Sequence, residues 1–236
     1  MEKLINLFED DFIRISYFLN NSDTVILSFS STPRIPSGQE IAEEQFIGTI
    51  SKNGHSGIFI IDKTSSYGNK IDFAQIYSMI APIVLGKTVH AVGYCMGGFL
   101  AIAMSKYLTI DKVIAVTPQW SIHPDFLLKD SYFLRFSNEI KDWKIKDLSD
   151  SFNESTDYYI FSSHEDNDLH SISFFPKSLS NLRIFDFGPE FGHDLPEAIH
   201  GNLEALMMSC INGNPDAVDK FIQDYYKELD RSILYI

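Results

Sequence analysis

Cysteine is scarce in this chain. There are two, Cys95 and Cys210, in 236 residues, and they form no Cys-x-x-C pair. That excludes a disulfide framework and a paired-thiolate metal site, and it implies a reducing compartment, so the cytoplasm is the expected location. Basic residues are also few: 19 Lys and Arg stand against 32 Asp and Glu, for a net charge of −13. Such a chain lacks the cationic surface that nucleic-acid binding or docking on an anionic bilayer requires, and neither partner is expected. No apolar run is long enough to span a membrane. The opening residues, Met1-Glu2-Lys3-Leu4-Ile5, hold no apolar signal core. Internal repeats, low-complexity tracts and linkers are missing too. What remains is ordinary for a globular protein, with 44% hydrophobic and 22% charged residues. Residues 1–236 are enough for one domain with a full core.

Apolar runs alternate with helix-like segments. Residues 11–19 alternate apolar and polar, as a half-buried edge strand does. Thr24-Val25-Ile26-Leu27-Ser28-Phe29 suits a strand buried on both faces. Further strands are expected at 58–61, 89–92, 112–117, 158–162 and 182–187. Helices are expected at 40–50, at 72–85 with Pro82 as a kink, from 99 to about 108, at 172–179 interrupted by Pro176, and at 196–210 and 216–229. Residues 30–38 read as a loop, and 212–215 as a break. Residues 118–150 carry Trp120, Phe126, Phe133, Phe136 and Trp143 among many charges, and read as a lid-like insertion or as packing over the sheet. The alternation predicts an α/β fold: a mainly parallel sheet with helices on both faces, its ligands bound beyond the carboxyl ends of the strands.

One stretch stands out: Ala91-Val92-Gly93-Tyr94-Cys95-Met96-Gly97-Gly98-Phe99-Leu100. It reads as strand, sharp turn and helix, with a nucleophile at the apex. Glycines at 93 and 97 fit a place where strand and helix approach too closely for a Cβ. The apex sits at a helix N-terminus, where the dipole and free N–H groups favour an anion. The spacing fits neither Gly-x-Gly-x-x-Gly nor a phosphate-binding loop followed by Lys-Ser/Thr.

A cysteine nucleophile needs a base. His193 follows the last expected strand in Phe187-Gly188-Pro189-Glu190-Phe191-Gly192-His193-Asp194. His90 is expected to pack within its strand, His55 and His200 to lie on the surface, and His123, His164 and His170 to reach at most the rim. A carboxylate to orient His193 is expected in Ser162-Ser163-His164-Glu165-Asp166-Asn167-Asp168-Leu169-His170. Asp166 lies at the usual distance from a strand end and Asp168 sits deeper, and both stay open. A metal site from His164, Asp166, Asp168 and His170 would lack a distant ligand, so no metal is expected. An oxyanion hole would use the N–H of Met96 and that of Ser30 or Ser31.

Nucleophile, acid and histidine in this order resemble the α/β-hydrolase superfamily over about residues 11–210. The Gly93-Tyr94-Cys95-Met96-Gly97-Gly98 elbow resembles that of dienelactone hydrolases and the cysteine box of polyhydroxyalkanoate synthases. The segment Val113-Ile114-Ala115-Val116-Thr117-Pro118-Gln119-Trp120-Ser121-Ile122 is similar to hydrolase-like domains of bacterial polysaccharide-related proteins. Those usually carry Ser-Met-Gly-Gly in the elbow, whereas Cys95 stands here. The resemblance implies an α/β-hydrolase fold and a hydrolase acting on a small-molecule ester, lactone or thioester through Cys95, His193 and Asp166 or Asp168, without a cofactor. Its alternatives are acyl transfer to a sugar or alcohol by the same residues, and a hydrolase-fold accessory or binding protein without catalysis. Neither substrate nor oligomeric state can be read from the residues.

Overall fold

A computed structural model describes residues 2–33, 42–188, 191–195, 202–213, 215–228 and 234–235. Among them the chain runs β1 (Ile5–Glu9), β2 (Ile13–Phe18), β3 (Thr24–Phe29), α1 (Ile47–Lys52), β4 (Ser56–Asp62), α2 (Phe73–Val84), β5 (Thr88–Tyr94) and α3 (Met96–Met104). It continues with β6 (Lys112–Val116), a 3-10 turn (Pro124–Phe126), α4 (Leu134–Ser137), β7 (Asp157–Ser162), α5 (Asp166–Ile172), β8 (Leu182–Asp186), α6 (Leu203–Asn212), α7 (Pro215–Glu228) and β9 (Leu234–Tyr235).

The strands form one sheet in the order β1-β2-β4-β3-β5-β6-β7-β8-β9. From β4 to β8 every neighbouring pair is parallel, while β1, β2 and β9 pair antiparallel. Parallel strands covered on both faces need continuous apolar runs, and Val25, Ile26, Leu27, Ile58, Ile60 and Val92 are accordingly buried. The strand order reverses about β3, so the carboxyl ends of β3 and β5 open a crevice.

The expected edge strand at 11–19 is internal, because β1 pairs outside it. β1 is short and largely exposed, so it carries little periodic signal. Of the helix expected at 40–50, residues 40 and 41 lie outside the described residues, and the helix starts only at Ile47. Glu44 instead reaches Arg14 and Ser16, and Gln45 reaches Ser31, which ties this segment to the sheet. The helix expected at 172–179 lies earlier, at Asp166–Ile172, where Asp166 and Asp168 complement the positive end of the helix dipole. Other helix ends shift modestly: α3 stops at Met104, and α2 runs through Pro82 but ends two residues later. Residues 34–38 of the expected loop, 196–201 and 229 of the last two expected helices, and 214 in the break between those helices lie outside the described residues. The insertion over 118–150 consists of a 3-10 turn, the short α4 and irregular connections. No helix among the described residues is long and apolar enough to cross a membrane.

Strand β5 and helix α3 meet almost backbone to backbone. Helix α3 is buried along its whole length and correspondingly apolar on every side. A Cβ on Gly93 would lie 2.1 Å from the Gly97 carbonyl carbon, and one on Gly97 would lie 2.1 Å from the Phe29 carbonyl oxygen. These neighbours are backbone atoms, so neither site can give way. On the same strand His90 is buried, and its Nδ1 has no hydrogen-bond partner among the described residues.

Gly97→Ala should therefore destabilise the protein by about 1–3 kcal/mol in urea unfolding. Gly48→Ala, in α1 with open space around it, should be neutral or stabilising by up to about 1 kcal/mol; equal effects would refute the close-approach argument. Burial pushes His90 down from 6.5 to about 4. The unfolded chain thus binds a proton that the native chain refuses between those values, so stability falls as pH drops through that window. Replacing His90 by Leu should flatten the slope, removing roughly 3 kcal/mol of pH-dependent loss; an unchanged slope would assign the acid sensitivity elsewhere.

Candidate active site

Cys95 sits between β5 and α3 with φ 52° and ψ −116°, a strained conformation for a residue with a side chain. Its N–H donates to the Val116 carbonyl at 2.9 Å and its carbonyl accepts from Phe99 N–H at 3.1 Å. The turn is thereby locked from β6 and from α3. Cys95 is only 4% exposed.

The structure brings His193 and Asp168 together and separates Asp166 from them. His193 Nδ1 lies 2.9 Å from Asp168 Oδ1 and 3.0 Å from Oδ2. Asp168 is 1% exposed, whereas Asp166 is exposed at the start of α5. A buried carboxylate needs donors. Gln119 Nε2 donates to Oδ1 at 2.8 Å and Ser163 Oγ donates to Oδ2 at 2.5 Å. The Pro-Gln-x-Ser segment makes three contacts that join separate parts of the chain: Gln119 holds Asp168, Trp120 N–H donates to Ser171 Oγ on α5, and Ser121 Oγ donates to the Lys146 carbonyl in the insertion.

The histidine loop is pinned on several sides, although residues 189 and 190 lie outside the described residues. His193 N–H donates to Glu165 Oε2 at 2.9 Å, and Tyr94 Oη donates to the His193 carbonyl at 3.2 Å. Its ring lies among Tyr94, Tyr132 and Phe133, with centroids 5.6 to 5.7 Å away. Tyr132 and Phe133 come from the 118–150 segment, which therefore reaches the site. Asp168 engages Nδ1, and Cys95 is near enough for its charge to act on the imidazole. Burial alone would lower the imidazole pKa. The charge of Cys95 and the hydrogen bond to Asp168 outweigh burial and raise it to about 11.

The expected oxyanion donors divide. Met96 opens α3, where first-turn N–H groups have no partner within the helix. Ser30 N–H is engaged by the Ile60 carbonyl at 3.1 Å, so that group belongs to the sheet. Ser31 N–H faces Gln45 Oε1 at 3.3 Å, and Gln45 Nε2 donates to Ser31 Oγ at 2.8 Å.

Sequence reading missed Tyr67, whose Oη lies 3.6 Å from Cys95 Sγ. It sits in a turn after β4 that is wound around the buried Asp62 carboxylate. Asp62 accepts from the N–H and hydroxyl of Thr64 and of Ser66, and from Gly68 N–H. The cluster of Thr, Ser and Gly after an Asp was the available signal for such a turn.

The remaining histidines have other tasks. His164 Nδ1 pairs with Asp186 Oδ2 at 2.8 Å, His170 Nε2 meets the Phe126 carbonyl, and His123 Nδ1 caps the 3-10 turn. His164, Asp168 and His170 therefore point to different partners. Among the described residues no three His, Cys, Asp or Glu side chains converge as a metal site. His55 is half-buried rather than on the surface, and His200 lies outside the described residues.

No family profile and no curated protein matches this chain. Solved structures share its shape. A capsule O-acetyltransferase of Neisseria meningitidis serogroup A is 17% identical over 83% of this chain and 90% of its own, with a TM-score of 0.62. A mutant of that protein in complex with CoA matches over 96% of this chain and 94% of its own, at 16% identity and a TM-score of 0.51. An esterase of Pyrococcus furiosus is 15% identical over 89% of each chain, with a TM-score of 0.61. At these identities the likeness is one of architecture, and the architecture of this chain is the α/β-hydrolase fold.

Proposed function

We propose that this protein cleaves an ester, lactone or thioester through an acyl-enzyme on Cys95. The observation that carries this reading is the buried contact of Asp168 with His193 Nδ1 at 2.9 Å, in a chain whose elbow presents Cys95 at the start of α3. His193 is protonated in the resting site. The sulfur attacks the acyl carbon, and the oxyanion lies against Met96 N–H. His193 passes its proton to the leaving oxygen or sulfur and then takes one from the incoming nucleophile. Asp168 holds the ring orientation and stabilises the imidazolium without accepting its proton.

A second reading, transfer of the acyl group to a sugar or alcohol hydroxyl, has its own support. Cys95 is only 4% exposed beside Tyr67, whose ring packs on Phe133, which limits water at the thioester. The similar O-acetyltransferase, and its complex with CoA, favour the same direction.

Iodoacetamide should label Cys95 promptly near neutral pH, and His193→Ala should slow both labelling and turnover of p-nitrophenyl acetate, the latter by about 10²–10⁴-fold. Asp168→Asn should lower kcat by at least about 10²-fold and Asp166→Asn should leave it within about twofold. An inert Cys95 with no turnover would leave a hydrolase-fold accessory protein. Faster nitrophenol release with added glycerol or sugar, accompanied by the acylated alcohol, would make the protein a transferase.

The raised imidazole pKa makes a separate prediction. In ¹⁵N-histidine NMR, His193 should stay protonated through neutrality and lose its proton at about pH 11. In Cys95→Ala the strongest influence that raises it is gone, and the titration should move down. A wild-type value near 6.5 would remove the resting imidazolium from the mechanism.

A further inference from the structure

The oxyanion of the proposed reaction has one evident donor, Met96 N–H, because Ser30 N–H is engaged in the sheet and Ser31 N–H faces Gln45. A hydroxyl comes to the nucleophile from another direction. Tyr67 is fully buried, and its Oη lies 3.6 Å from Cys95 Sγ. Its ring is fixed by Phe99, Phe133 and Phe136 at centroid distances of 5.4 to 6.4 Å. Its backbone is held at φ 51°, near Ser65, also at φ 51°, in the turn wound on Asp62. A bulky aromatic residue in the left-handed region is uncommon and is kept only where surrounding bonds over-determine it.

We infer that the Tyr67 hydroxyl is a catalytic oxyanion donor, acting with Met96 N–H on the acyl oxygen; this rests on the acyl-enzyme reading above. In the resting site the phenol and the sulfur share a hydrogen bond. When the sulfur lone pair forms the C–S bond, the carbonyl π pair moves to oxygen, and the negative charge leaves sulfur for an atom bonded to the neighbouring carbon. The phenolic hydrogen bond follows that charge. When the intermediate collapses, the oxygen pair re-forms the carbonyl, the bond to the leaving group breaks, and the leaving group takes its proton from His193. Tyr67 keeps its own proton throughout: burial and the nearby Cys95 charge hold its phenol well above the ordinary range.

The role differs from simple support of the sulfur in one respect. Alkylation of Cys95 by iodoacetamide forms no oxyanion, whereas acyl transfer does. Tyr67→Phe keeps the ring and removes the hydroxyl. Its acylation rate with p-nitrophenyl acetate should fall about 10²-fold while alkylation of Cys95 changes less than about threefold. Binding of 1,1,1-trifluoroacetone, which would add to Cys95 as a hemithioketal oxyanion, should weaken in ¹⁹F NMR by a similar factor. Equal losses in alkylation and acylation would make Tyr67 a support for the sulfur or for the fold, and no loss in either would make it packing; both outcomes overturn the inference. If wild-type Cys95 alkylates but neither acylates nor binds the ketone, the acyl-enzyme reading fails first and the donor role falls with it.

Discussion

The arrangement depends on the buried Asp168 carboxylate. A charge withdrawn from water must be met by donors, and each donor here arrives from a different part of the chain. Gln119 follows β6, Ser163 follows β7, and His193 belongs to the loop after β8. Satisfying one carboxylate therefore aligns three loops that are far apart in sequence. Truncating any donor would leave the charge short of a partner in a site with little water to replace it. That penalty exceeds the modest net worth of an ordinary hydrogen bond.

The elbow is the complementary constraint. Where Asp168 gathers loops by attraction, Gly93 and Gly97 let backbones meet at distances that any side chain would prevent. The result brings the nucleophile, the start of α3 and the end of β3 to one point at the reversal of the sheet. The aromatic cover from the insertion closes over it: Tyr132 and Phe133 pack on the imidazole and Phe133 packs on Tyr67. Tyr132 Oη is buried there without a hydrogen-bond partner among the described residues.

Much of this was legible in the residues. The α/β class followed from apolar strand runs alternating with helical segments, and the α/β-hydrolase fold from the resemblance carried by Cys95, the acidic loop and His193 in that order. Other features were not local. Asp166 and Asp168 could not be separated because the segment reads as a loop. Once it is a helix, residues two apart lie on nearly opposite faces, and only one can turn inward. Gln119 was visible as part of a motif, but its role exists only when the segment after β6 meets α5. The obstruction of Ser30 N–H depends on the register between β3 and β4, which no spacing encodes. Tyr67 depends on a left-handed backbone conformation that an aromatic residue does not advertise.

The turn at residues 62–68 has a further consequence. Its five hydrogen bonds to Asp62 come from Thr64, Ser66 and Gly68, so none of them requires the side chain of Tyr67. Scaffold and tip are thus separable within seven consecutive residues. The residue at position 67 can be exchanged while the loop keeps its own frame, which makes this short segment a place where related chains could acquire a different chemistry beside the same nucleophile without redesigning the fold.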